Sequence, residues 1–173
     1  MQRRTLAIVV VVSIAVLLAG AAPASALTKE RSPLVLTTDP VVLQGFCPFP
    51  VTYQDIRGSG TQTLVFDAVG NLVRIDIHPH GLISRFSANG KTITFNNSGP
   101  VSVFPQSDGT DLVILRGSSF EADQGLITGD PFLTITAGRV VIVSVFDPNT
   151  GFNDFFSIST SGSVTDVCAA LAP

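Results

Sequence analysis

Between Val41 and Thr160, short runs of β-branched and aromatic residues alternate with turn residues almost without a break, and no segment carries the 3.6-residue period of a long helix. Leu72 to His78 has the clearest period of two, with Val73, Ile75 and Ile77 on one face and Arg74, Asp76 and His78 on the other. Thr92 to Asn96 repeats the pattern directly after Asn89-Gly90, the strongest two-residue hairpin signal. Neighbouring strands therefore pair antiparallel. The same vocabulary predicts strands at 51–57, 63–66, 82–87, 101–104, 112–116, 126–128, 132–136, 140–146 and 155–160. Turns are expected at 67–71, 98–100, 108–109, 129–131, 137–138 and 147–149, where Gly, Pro, Asn and Asp gather.

About ten short strands with tight connections predict an all-β fold, an antiparallel meander closing into a small barrel. Closure removes exposed edges, which is why it is preferred to the alternative, a two-sheet β-sandwich. Only Val164 to Leu171 reads as a helix, short and C-terminal, with Ser163 as its N-cap.

The first 26 residues belong to a different class of segment. Arg3 and Arg4 precede an uncharged run from Leu6 to Leu18, and Ala24-Ser25-Ala26 supplies small residues for a signal peptidase. Thirteen helical residues cover roughly 20 Å, short of a hydrocarbon core of about 30 Å, so cleavage is expected and a membrane anchor is not. Ala21 stands where a lipoprotein would carry cysteine. The organisation expected is a signal peptide at 1–26, a lead-in arm at 27–40 and a single β domain at 41–173, released outside the cell.

From Leu27 onward, eight Lys and Arg face thirteen Asp and Glu, a formal charge of −5 with no basic run. Nucleic acids and anionic membranes are poor partners for such a chain, because both call for clustered cations. Cys47 and Cys168 are the only cysteines. An even count in an exported chain predicts one disulfide tying the start of the domain to its end.

Chemistry is thinly encoded. His78-Pro79-His80 holds both histidines, and with Asp76 it offers three metal-ligand types, but Pro79 and Gly81 read as an exposed hairpin end and no metal is expected. Asp147 to Asp154 has part of a calcium loop's oxygen pattern, yet Ile158 stands at the place of the bidentate Glu. No G-x-S-x-G occurs, and Gly58-Ser59-Gly60 and Ser161-Gly162-Ser163 read as flexible turns. With no Trp and one Tyr, stacking on sugars has little to work with. Neither catalytic residues nor cofactors are assigned. Phe46, Phe49, Phe152, Phe155 and Phe156 sit in loop-like surroundings where an apolar pocket mouth would be placed.

The leader, Cys47-Pro48-Phe49, Asp67-Ala68-Val69-Gly70-Asn71, Asp108-Gly109-Thr110 and the closing Cys168-Ala169-Ala170-Leu171 together resemble a loose group of small secreted proteins of high-GC Gram-positive bacteria. That group has no assigned activity, so the resemblance implies compartment and an all-β fold and carries over no site residue. The function expected is non-enzymatic: binding of a small apolar ligand or of a cell-envelope partner. The alternatives are a small hydrolase or isomerase with its site in the barrel mouth, and a structural surface protein.

Overall fold

Asn89 and Gly90 take φ values of 53° and 73°, the two left-handed residues that a two-residue hairpin needs. They join β4 (Leu72–Ala88) to β5 (Lys91–Asn96), with Ala88 opposite Lys91. The computed structural model describes residues 27–125, 130–147 and 152–173. The signal peptide expected at 1–26, the strand expected at 126–128 and the centre of the 147–154 loop lie outside the described residues. Within the 27–40 segment, β1 (Thr28–Pro33) is already a strand, paired along its whole length with β3 (Val51–Phe66).

The other strands are β2 (Val41–Leu43), β6 (Val101–Pro105), β7 (Asp111–Asp123), β8 (Phe132–Asp147) and β9 (Phe152–Asp166). All pairings are antiparallel and form one sheet in the order β1-β3-β4-β6-β7-β8-β9, with β2 also on β3 and β5 also on β4. The sheet is not closed into a barrel. β1 and β2 stand at one end of the order and β9 at the other, so the expected closure is replaced by an open, curled sheet.

The difference has a local cause. Several pairs of short strands expected from the sequence are single long ones, because glycines that read as turns lie inside strands. Gly117 on β7 faces Gly138 on β8, and Gly138 faces Gly162 on β9, a row of glycine crossing three strands. A Cβ on Gly138 would lie 1.9 Å from the Ser161 carbonyl oxygen, and one on Gly162 would lie 2.2 Å from that of Ala137. Backbones approach too closely there for any side chain, and the long strands crease without ending. Gly58-Ser59-Gly60 likewise sits within β3, at the register shift against β4.

Curling brings strands that are not sheet neighbours into contact. Tyr53 on β3 and Phe86 on β4 meet Phe120 on β7, at ring centroid distances of 4.9 and 5.4 Å. Around them Phe46, Val51, Leu133, Val167 and Leu171 form the main core, each at most 1% exposed. Burying one such side chain stabilises by about 1.5 to 3 kcal/mol. A second cluster of Leu115, Val140, Ile142 and Phe155 lies beyond the glycine row.

The terminal helix, α1 (Val167–Leu171), is shorter than expected because β9 runs on to Asp166, which caps it in place of Ser163 by accepting from Ala169 N at 2.9 Å. Asn89 Nδ2 donates to Leu171 O at 2.9 Å, so the β4–β5 hairpin tip closes the other end of the helix. The Cys47–Cys168 disulfide joins the segment after β2 to α1, across 121 residues of chain.

Candidate functional site

Period-two alternation on β4, β6 and β7 points Ile77, Val101, Val103 and Val113 to the concave side of the curl, where Ile142 of β8 and Phe155 of β9 complete an apolar wall. The space they enclose is an open cleft of about 330 Å³. A second cavity of about 290 Å³ shares Ile77, Val101, Leu115 and Phe120 with the first and runs toward β3 and the segment 34–37. Neither is lined by Lys, Arg, His or Cys among the described residues.

Glu121 brings an ionisable group to this apolar wall and is 3% exposed. Its Oε1 accepts from Ser119 Oγ and Thr136 Oγ1, both at 2.8 Å, and Oε2 accepts from Thr134 Oγ1 at 3.4 Å. Cross-strand register explains the grouping: Thr134 pairs with Glu121, and Thr136 with Ser119. Burial pushes the carboxyl above the usual range, and the three hydroxyls only partly offset it. Asp111, also in the lining, is raised by burial as well. The apolar surroundings thus shift both groups in the same direction, toward holding their protons to higher pH.

The second cavity ends on a different arrangement. Tyr53 Oη and Ser84 Oγ donate to Asp55 Oδ1 at 2.5 and 2.6 Å, while Thr37 N donates to Oδ2 at 2.8 Å. Asn97 Nδ2 donates to Ser84 Oγ at 3.2 Å and to Tyr53 Oη at 3.4 Å. Burial, followed by the Asp55 hydrogen bond, raises the Tyr53 phenol far above its ordinary range. The phenol stays protonated, so it is a donor and no base. Each group in this network is spent on another. It also fastens the 34–40 segment, since Asp55 N donates back to Thr37 O at 2.7 Å.

The sequence-derived candidates are distributed differently from these two clusters. Cys47 and Cys168 are bonded to each other as expected. His78-Pro79-His80 is not a hairpin end: β4 continues through it, paired with Ser59 to Thr61 of β3. Asp76, His78 and His80 share the outer face of β4, yet Asp76 is held by Arg74 Nε at 2.9 Å and Ser102 Oγ at 3.0 Å. Among the described residues no group of three or more His, Cys, Asp or Glu is placed to hold a metal ion. Neither histidine lines the cleft or its neighbour, so no Ser-His-Asp constellation forms there. Of the phenylalanines expected at a pocket mouth, Phe46 is core and Phe156 is exposed, whereas Phe155 does line the cleft. The Phe152 side chain lies outside the described residues.

Glu121, Asp55 and Tyr53 carried no local signal. A Glu alternating with Ser119 and Asp123 along a strand has the pattern of a solvent face, and only the curl buries it. Comparison with protein-family models, curated proteins and solved structures gives no match. Function has to be argued from geometry.

Proposed function

We propose that the protein binds a small, uncharged, largely apolar ligand in the cleft, without converting it. The observation that carries this reading is the lining itself, an aliphatic and aromatic wall of about 330 Å³ with the buried carboxyl of Glu121 and, among the described residues, no cation. Apolar surface supplies the driving force, and the Glu121 carboxyl offers one hydrogen bond to a ligand hydroxyl. An anionic ligand would enter beside Asp111 and Glu121 without a counter-ion in the lining among the described residues, at a high desolvation cost. An isomerase or hydrolase reading has less support, because the Tyr53, Asp55, Ser84 and Asn97 groups are occupied with one another.

The protein acts outside the cytoplasm on this reading. Support comes from its disulfide, a bond of oxidising compartments, and from the Arg3-Arg4, Leu6 to Leu18 and Ala24-Ser25-Ala26 pattern of its first 26 residues. The test uses Nile red, an uncharged apolar dye, with Val103→Phe narrowing the cleft. Binding is expected for the parent and at least ten-fold weaker for the variant, with Tm changed by no more than a few degrees. Absence of dye binding by the parent, together with no apolar compound in solvent extracts of protein purified from culture medium, would overturn the reading.

A further inference from the structure

The outer face of the same sheet has the opposite chemistry. In antiparallel register Lys29 lies beside Val65, Arg31 beside Thr63, and Thr63 beside Asp76, while Thr61 faces His78. These positions alternate with residues turned to the concave side, so β1, β3 and β4 place Lys29, Arg31, His78 and His80 on one face. There they line a groove of about 450 Å³ together with the Thr61 and Thr63 hydroxyls and Asp76. Lys29, Arg31, His78 and His80 are exposed. Arg31 Nη2 reaches Thr61 Oγ1 at 3.3 Å, which lays the guanidinium across the groove floor.

Charge makes this face distinctive. Among the described residues Asp76 is the only acid in the lining and is paired with Arg74, which leaves Lys29 and Arg31 without a carboxylate partner there, in a chain whose overall charge after Ala26 is −5. We propose that this groove is a second binding site, taken by an anionic carbohydrate chain. The five residues of β4 from Asp76 to His80 span about 13 Å, and two strand spacings from β1 to β4 add a width of about 10 Å. A short oligosaccharide fits that footprint better than a single ion. Cations meet its acidic groups, imidazoles and threonine hydroxyls its hydroxyls. Among the described residues no aromatic side chain lines the groove, so a sugar chain would be held by charge and hydrogen bonds and not by stacking, and a single-stranded nucleic acid, whose bases stack on rings, fits it less well. The two sites are independent: the cleft faces inward from Ile77, the groove outward from Asp76 and His78.

Fluorescence anisotropy with a labelled heparin hexasaccharide tests this directly, with an uncharged dextran oligosaccharide and a labelled oligothymidylate as comparisons. The full-length mature protein is expected to bind the heparin probe at 50 mM salt and at least ten-fold more weakly at 300 mM, since exposed charges are screened. The double variant Lys29→Gln with Arg31→Gln should lose at least ten-fold in affinity, and His78→Gln with His80→Gln several-fold. If the first pair also loosens β1, visible as a fall in Tm, the histidine pair on the interior strand β4 decides. Unaltered affinity in that pair would overturn the proposal. Equal binding of dextran, or tighter binding of oligothymidylate, would overturn it too. Val103→Phe should leave heparin binding unchanged, so failure here is distinguishable from failure of the cleft reading.

Discussion

Glu121 shows how little of a residue's role is visible one position at a time. It alternates with Ser119 and Asp123, a pattern that reads as a wet strand face, but the curl of the sheet leaves all three at 4% exposure or less. Its carboxyl is raised above the ordinary value of 4.5, mainly by burial. For an acid, a raised folded pKa means that the native state holds its proton where the unfolded chain has released it, so stability falls as pH rises. The loss starts near the unfolded value and ends once pH passes the folded one. Replacing Glu121 by Gln removes that titration while keeping most of the hydrogen-bonding shape. Thermal melts from pH 4 to pH 8 should therefore show the parent losing ground to Glu121→Gln as pH increases, with the two closest at pH 4. A parent that gains on the variant over this range would show that the carboxyl is better solvated than its burial implies. Asn89 is the contrary case for its turn, which was legible because Asn-Gly requires nothing but its own backbone to make a hairpin, whereas its side-chain bond to Leu171 O was not.

At the scale of elements, the positions of most strands from Val51 onward were legible, while their lengths and the strands β1 and β2 were not. Val140 to Phe146 and Phe132 to Thr136 are both strand, as their β-branched residues predict, but Ala137-Gly138 joins them where a turn was expected. Glycine in a β-rich chain has two meanings, turn or close backbone approach, and only its cross-strand partner distinguishes them. The partners here are Gly117 and Gly162. Adding a methyl at the middle of that row should be costly: Gly138→Ala places Cβ against the Ser161 carbonyl and forces apart β8 and β9. We expect a loss of about 2 kcal/mol or more in urea unfolding, well above the usual cost of a surface substitution. A neutral Gly138→Ala would mean that the crease relaxes freely. The Thr28–Pro33 strand makes a related point: its Lys, Glu and Arg hid a pairing that its register with β3 makes plain, and such charges suit an edge.

For the whole molecule, the disulfide is the long-range contact that residue types alone indicated, because two cysteines leave a single pairing within the chain. It closes a loop of 121 residues between the segment after β2 and α1. In the chain-entropy account a loop of this length is worth about 4 to 5 kcal/mol, through restriction of the unfolded state. The double variant Cys47→Ser with Cys168→Ser should accordingly lose 2 to 5 kcal/mol, about the range seen when a native disulfide is removed, with the urea midpoint as readout. A midpoint unchanged within error would indicate that the two ends are held by the core alone. What the amino-acid sequence determined was whatever depends on neighbours within a few residues: the all-β class, antiparallel pairing and the Asn89-Gly90 hairpin. Whether the sheet would close, which polar strand face would be buried, and that Lys29 and Arg31 would share a groove with His78 and His80 were decided by register and curvature. Those quantities depend on backbone contacts between residues tens of positions apart, and no local pattern encodes them.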